Sequence, residues 1–115
     1  NAIDFGEVTQ ERRYPIGASD ASRGTFCGGY TTTNVDTIDY INIGALGDAT
    51  DFGNLSQARH GSCTSSDGCR QLVCGGYVSA AADTIDYHNI PIVGNSADFG
   101  DLTQARANPG GASGD

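Results

Sequence analysis

A repeat of 47 residues constrains the fold of this chain more than any other feature of its sequence. Three short motifs recur in one register: Asp-Phe-Gly begins at residues 4, 51 and 98, Gly-Gly-Tyr at 28 and 75, and Asp-Thr-Ile-Asp-Tyr at 36 and 83. Residues 4–50 and 51–97 align without a gap and are identical at 20 of 47 positions. A partial third unit occupies residues 98–115. We therefore expect residues 1–115 to form a single repeat region without a second domain.

Each unit is predicted to contain four short β-strands. The chain has 17 glycines and no sustained apolar spacing of three and four residues, so turns and strands are favoured over helices. In the second unit the predicted strands span about 59–64, 69–74, 84–90 and 97–102, with a turn at 65–68. Four strands in 47 residues is the size of one blade of a β-propeller. The expected fold is all-β: two complete four-stranded blades with partial strands on either side.

The balance of charge argues against several classes of partner. The chain has 14 acidic and 6 basic residues, a formal charge of -8, and every basic residue is arginine. Binding to nucleic acid is not expected, because phosphate backbones are bound by basic surfaces. No apolar run approaches the roughly 20 residues of a membrane span. The chain has no methionine, so we expect it to be processed or to be part of a longer protein.

Ten residues at repeated positions are predicted to define the unit structurally. The glycine pairs end a strand, where positive φ and close backbone approach favour glycine. The aromatic residues are expected in the core. Each arginine is predicted to pair with an aspartate of the same or the next unit, because a guanidinium matches a carboxylate. The ten residues are Gly28, Gly29, Tyr40, Phe52, Arg59, Gly75, Gly76, Tyr87, Phe99 and Arg106.

Two tyrosines are the candidate ligand contacts. Tyr30 and Tyr77 follow the glycine pairs in a predicted loop, which makes them the aromatic residues least expected to be core. A sugar or a base is the kind of ligand that stacks on such rings. Both kinds of ligand stay open at these two rings, and a surface glycan is a candidate partner of the chain.

No catalytic residue, cofactor site or metal site is predicted. The strictly repeated aspartates are expected to cap turns and to lie on solvated strand faces, not to act as acid and base. These aspartates are Asp36, Asp39, Asp83 and Asp86. His60 and His88 are not equivalent in the repeat, and no Cys-x-x-Cys or His-x-x-x-His spacing accompanies them.

The cysteines leave one candidate disulfide. Cys63 and Cys69 flank the predicted hairpin turn, so a bridge between them is the candidate. Cys27 and Cys74 hold equivalent positions in successive units, which are expected to exceed the Cα separation of about 5.5–6 Å that a disulfide prefers. A Cys63–Cys69 bridge implies a location outside a reducing cytoplasm. Weak calcium binding and glycosylation of Asn54, in an Asn-Leu-Ser sequence, are left open.

The repeated residues resemble the kelch motif. That motif has a glycine pair ending the second strand, then a tyrosine, then an aromatic residue followed by a leucine and a basic residue. One copy here supplies Gly28, Gly29, Tyr40, Phe52, Leu55 and Arg59, and the next supplies Gly75, Gly76, Tyr87, Phe99, Leu102 and Arg106. Kelch units normally carry tryptophan where Phe52 and Phe99 stand, and their spacing from tyrosine to the aromatic is shorter, so the resemblance is to a divergent member.

The wording of the motifs is similar to that of kelch-like proteins of tailed phages, especially marine ones, over residues 4–106. This resemblance implies a β-propeller with a non-enzymatic structural or adhesion role in a virion tail, fibre or decoration. It implies a virion or extracellular location, with other virion proteins as partners and contact with the host surface, but it identifies no receptor. The alternatives are a secreted subunit of an extracellular filament or surface layer, and a fragment of a kelch-type enzyme.

Closure of a propeller determines the remaining expectation. A propeller usually needs about 4–8 blades, so two units cannot close a ring. A blade without a neighbour exposes an apolar face, which soluble monomers seldom tolerate. Copies of the same chain, or further blades of a longer chain, are therefore expected as partners, and the isolated 115-residue chain is not expected to be a stable monomer.

Overall fold

The structure is a computed structural model that describes residues 2–111. Within these residues the chain forms eight β-strands and no helix. The strands are β1 (Ile16–Ser19), β2 (Arg23–Cys27), β3 (Thr37–Asn42), β4 (Thr50–Asn54), β5 (Cys63–Ser66), β6 (Arg70–Cys74), β7 (Thr84–Asn89) and β8 (Ala97–Asp101). The last residues of the predicted partial third unit, 112–115, lie outside the described residues.

The strands form two four-stranded antiparallel sheets, which confirms the all-β prediction. The first sheet has the order β1-β2-β3-β4 and the second has the order β5-β6-β7-β8. Each strand of the second sheet begins 47 residues after its counterpart in the first. The register is also matched, because Cys27 pairs with Ile38 in the first sheet as Cys74 pairs with Ile85 in the second. The two units of sequence therefore adopt the same local structure.

The first hairpin of the second sheet differs from the prediction by a few residues. The strand predicted at 59–64 runs from Cys63 to Ser66, and the turn predicted at 65–68 lies at 67–70. The Asp67 side chain sets this position, since its Oδ1 accepts hydrogen bonds from the backbone N–H groups of Cys69 and Arg70 at 3.0 and 2.7 Å. These hydrogen bonds, that of Arg70 above all, lower the pKa of Asp67.

The core lies between the two sheets. Its main cluster of buried apolar residues comprises Cys27, Ile38, Phe52, Leu55 and Val73. The Tyr40 ring meets Phe52 edge-on at 5.9 Å. A buried hydrogen bond of 2.6 Å from Thr25 Oγ1 to Gln71 Oε1 also joins the sheets. The prediction that the repeated aromatic residues lie in the core is wrong for Phe99, which is 53% exposed although its counterpart Phe52 is 1% exposed.

Two stretches of chain cross onto a following sheet in the same way, and we call them docking segments: residues 4–12 on the first sheet and residues 51–59 on the second. The carbonyl of Phe5 accepts a hydrogen bond from Gly47 N, and the carbonyl of Phe52 accepts one from Gly94 N, at 2.9 and 2.8 Å. Glu7 and Asn54 repeat the pattern two residues later. Backbone hydrogen bonds therefore set the register of each docking segment.

Each docking segment ends at a buried ion pair. Asp39 accepts hydrogen bonds from Thr9 N, Thr9 Oγ1 and Arg12 Nη2 at 3.0, 2.6 and 3.1 Å. Asp86 accepts two hydrogen bonds from Ser56 N and Ser56 Oγ at 2.9 and 2.6 Å, and its Oδ2 lies 3.3 Å from Arg59 Nη2 in an ion pair. Both carboxylates are fully buried, so the prediction of a solvated strand face is wrong for Asp39 and Asp86. They are buried because the docking segment supplies three donors to each.

Gly53 permits the close approach of its docking segment to the second sheet. Its φ is +146°, and a β-carbon there would overlap the carbonyl oxygen of Gly94. Gly100 holds the same position in the repeat with a φ of +150°, but a β-carbon there would meet nothing within 4 Å. A comparison of Gly53 with Gly100 therefore separates the cost of the backbone conformation, which both share, from the cost of the contact with Gly94, which only Gly53 makes.

Substitution of Gly53 by alanine is expected to destabilise the chain more than the same change at Gly100. Gly100→Ala should cost about 1–3 kcal/mol of unfolding free energy for the strained φ alone. Gly53→Ala should add overpacking of about 1–3 kcal/mol. Urea denaturation of both variants measures the difference, and equal losses would contradict the packing of residues 51–59 on the second sheet.

His88 is a buried histidine that lacks one hydrogen-bond partner. Its Nδ1 lies 2.9 Å from Ser96 Oγ, its ring centroid is 5.0 Å from that of Phe52, and Nε2 has no partner within residues 2–111. Burial lowers the pKa of His88 from 6.5 to about 4, and the Asp86 carboxylate offsets this only in part. The imidazole is therefore neutral in the folded chain at pH 7.

The stability of the chain is expected to fall on acidification from pH 6.5 towards 4 because of His88. The unfolded chain takes up the proton near pH 6.5, whereas the folded chain takes it up only near 4, which converts to roughly 3 kcal/mol. His88→Ile introduces the residue found at the equivalent position, Ile41. The urea midpoint of the native chain should be lower at pH 5 than at pH 7, and this decrease should be smaller for His88→Ile. An identical decrease in both chains would show that His88 does not cause the pH dependence.

Candidate functional site

Five side chains line an open cavity of about 370 Å³ where the two sheets meet. We call it the aromatic pocket, and its residues are Arg13, Tyr14, Tyr30, His60 and Tyr77. Four of the five carry a ring, and Tyr14 and Tyr77 are 60% and 42% exposed. Such a concave site with convergent rings and a few polar groups is typical of small-ligand binding.

The glycine pairs place the two repeated tyrosines. Gly29 and Gly76, with φ of +118° and +108°, turn the chain at the end of β2 and β6. Tyr30 N then donates to Arg13 O at 2.9 Å, and Tyr77 N donates to His60 O at 2.8 Å. These backbone bridges hold Arg13 beside Tyr30 and His60 beside Tyr77.

His60 is the centre of the pocket. Its ring centroid lies 5.3 Å from that of Tyr30, 5.5 Å from Tyr77 and 5.8 Å from Tyr14. Its Nδ1 is 2.5 Å from Asn34 Oδ1, and Asn34 Nδ2 donates to Val78 O at 2.7 Å. Because the Asn34 amide nitrogen already donates to that carbonyl, Asn34 offers an oxygen to His60, so the His60 ring carries a proton on Nδ1 and donates it to Asn34. Nε2 is left for a ligand.

Tyr14 adopts a backbone conformation that is unfavourable for tyrosine. Its φ is +59°, in the left-handed region. The equivalent positions in the repeat are Gly61 and Asn108, with φ of +64° and +53°, and these are residue types that tolerate this region. The strained tyrosine places its ring against His60, so the strain coincides with the pocket.

Arg13 supplies the positive charge of the pocket. Its guanidinium carbon lies 5.1 Å from the ring centroid of Tyr30 and 5.8 Å from that of Tyr14. The pocket thus combines apolar ring faces with an arginine, tyrosine hydroxyls and an imidazole. This set can stack on a flat apolar face of a ligand and hydrogen-bond to hydroxyl groups at its edge.

Both tyrosines predicted as ligand contacts line this pocket, one from each sheet. Sequence reasoning missed Arg13 and Tyr14, and it treated His60 as an isolated histidine. The repeat contained the missing signal, because residues 13 and 60 occupy one position and residues 14 and 61 the next. The side chains at these two positions differ between units, although the neighbouring Arg12 and Arg59 are identical.

The cysteines lie apart from the pocket, and all four are free thiols. Cys63 lies opposite Cys74 in the register of β5 and β6, without a disulfide between them. Cys69 is exposed in the turn that connects the two strands. Burial raises the pKa of Cys27 to about 12 and that of Cys74 to about 11, so both stay protonated at neutral pH. The Cys63–Cys69 disulfide stays a prediction.

Residues 2–111 were also searched for a metal-binding cluster and for a membrane-spanning helix. No three side chains of His, Cys, Asp or Glu are grouped so that they could hold a metal ion there. The same residues include no helix long and apolar enough to cross a membrane. The sequence matches none of the protein-family models and none of the curated proteins with which it was compared.

Replacement of Tyr14 separates the cost of its backbone conformation from the role of its ring. Tyr14→Ala removes the ring but keeps a β-carbon at positive φ, whereas Tyr14→Gly removes both. We expect the glycine variant to be more stable than the alanine variant by about 1 kcal/mol. Urea denaturation measures this difference, and equal stability would show that Tyr14 carries no strain.

Proposed function

We propose that this chain is part of a kelch-like β-propeller that serves as a non-enzymatic adhesion module and binds a surface glycan in the aromatic pocket. Each four-stranded sheet is then one blade. The matched strand order and the offset of 47 residues support this assignment. The resemblance of residues 4–106 to kelch-like phage proteins supports placement in a virion tail, fibre or decoration.

The aromatic pocket is the observation that carries the proposed ligand. A sugar ring has an apolar C–H face and a rim of hydroxyl groups, which match the ring faces and polar groups of the pocket. The Arg13 guanidinium donates hydrogen bonds, and the His60 ring, whose Nδ1 faces Asn34, leaves Nε2 for the ligand. A nucleic-acid base stacks on similar rings, but the formal charge of -8 opposes a phosphate backbone.

The composition of the pocket favours binding over catalysis. The five lining residues include no carboxylate, serine or cysteine, the groups that usually hydrolyse a glycosidic or acyl bond. Its openness to solvent also suits an exposed ligand that is displayed on a surface. We therefore propose adhesion rather than glycan turnover.

The full chain is expected to bind an oligosaccharide saturably. A mixture of soluble oligosaccharides of neutral, amino and acidic sugars is first screened by saturation-transfer NMR, and the ligand found is then titrated by calorimetry. Tyr77→Ala and Tyr14→Gly should each weaken binding about tenfold, equivalent to ~1.4 kcal/mol. The ring resonances of His60 and Tyr30 should shift on titration.

Phe99→Ser provides the matched control, because Phe99 is an exposed aromatic residue outside the pocket. It should bind the oligosaccharide as tightly as the native chain. The proposal fails if no oligosaccharide binds, or if Phe99→Ser weakens binding as much as Tyr77→Ala does.

A further inference from the structure

Residues 98–106 have the sequence of a docking segment, and within residues 2–111 no sheet receives them. Phe99 is 53% exposed, and Gly100 has open space where Gly53 meets the second sheet. The exposed Arg106 side chain makes one hydrogen bond within residues 2–111, a long one of 3.4 Å from Nε to Gln104 O. The counterpart Arg59 is buried against Asp86. The groups that bind a following sheet are therefore free on this surface.

The receiving surface of a sheet has a defined chemistry, which is present on the first sheet. Asp39 and the carbonyl of Phe26 both accept hydrogen bonds from Arg12 Nη2, at 3.1 and 3.2 Å. Gly47 N donates to a backbone carbonyl of residues 4–12. Residues 4–12 now occupy this surface. Residues 98–106 are identical to them at six of nine positions, including the phenylalanine, the glycine, the threonine and the arginine.

We propose that residues 98–106 of one copy of this chain dock on the first sheet of a second copy, in place of residues 4–12 of that copy. Arg106 of the first copy then pairs with Asp39 of the second, and Thr103 supplies the two donors that Thr9 supplies now. Phe99 is buried as Phe52 is buried between the two sheets of one chain.

The exchange brings contacts that residues 4–12 cannot provide. Within one chain, Arg23 of the first sheet donates to the carbonyl of Ile90 in the second at 2.9 Å. The counterparts of these residues are Arg70 and Ile43, which are both exposed. Docking between copies places Arg70 of one copy against Ile43 of the next. Residues 98–101 belong to β8, so their docking also covers the second sheet to which β8 belongs. Residues 4–8 form no strand, so their docking covers no further sheet.

This contact joins residues 98–106 of one copy to the first sheet of another. A pair of copies therefore still has one unused segment 98–106 at one end and one unused first sheet at the other. Such a head-to-tail contact closes into a ring or extends into a chain. The expected masses are multiples of the 11.8 kDa of one chain. The inference rests on the packing of the docking segments and does not depend on the ligand of the aromatic pocket.

Sedimentation velocity of the full chain over a range of concentrations tests the proposal. The native chain should associate, and Phe99→Ser and Arg106→Ala should each weaken the association about tenfold or more. Arg106 is exposed, and Phe99 is 53% exposed with one edge-on ring contact to Tyr87 at 5.9 Å, so both variants should keep the native β-sheet circular-dichroism spectrum and the native oligosaccharide affinity. Arg12→Ala should strengthen association, because it loosens the competing segment.

Ile92→Ser is the matched control, because Ile92 is a 65% exposed apolar residue in the loop before β8 and outside residues 98–106. It should associate as the native chain does. The proposal is overturned if the native chain stays at 11.8 kDa at every concentration, or if Ile92→Ser weakens association as strongly as Phe99→Ser. It is also overturned if association survives both Phe99→Ser and Arg106→Ala.

Discussion

The structure depends on a buried carboxylate in the third strand of each sheet. Asp39 and Asp86 are each fully buried, and each contacts two donors of a hydroxyl residue and one arginine from the stretch of chain that precedes its sheet. A buried carboxylate without these donors would be strongly unfavourable. Nε and Nη1 of the arginine partners find no hydrogen-bond partner within residues 2–111, so the pair is not optimal for stability alone. The pair holds the end of the docking segment on its sheet, in the register that the backbone hydrogen bonds also set.

The same ion pair positions the aromatic pocket. Arg59 is held by Asp86 of the second sheet, and its carbonyl accepts a hydrogen bond of 3.0 Å from Gly29 N of the first. The next residue, His60, therefore lies where the two sheets meet, between Tyr30 and Tyr77. Docking and the pocket are thus coupled by geometry, because the chain that joins the sheets also carries the central ring of the pocket.

Much of the fold was predictable, because it follows from local sequence patterns that occur in both units of the repeat. Glycine pairs, aspartate-led turns and alternating apolar residues predict strands and their ends, and the doubled pattern fixes which residues are equivalent. The burial of Asp39 was not predictable from these rules, because an aspartate beside a turn signal is usually solvated. Its environment is decided by Thr9 and Arg12, about thirty residues away in sequence. The repeated arginines predicted a pair with an aspartate, but not which aspartate it is or that it is buried.

The candidate site was only half predictable for a related reason. Tyr30 and Tyr77 recur, so the repeat marks them, but His60 and Tyr14 do not recur and look unremarkable singly. In a repeat, the residues that hold units together must be the same in each unit, as Arg12, Arg59 and Arg106 are. The two positions that follow are free to vary, and they hold Arg-Tyr, His-Gly and Ala-Asn in turn. Only the first two of these pairs bring rings or charge into the pocket. A search for function in such a chain therefore begins where neighbouring units share a backbone conformation and differ in side chain.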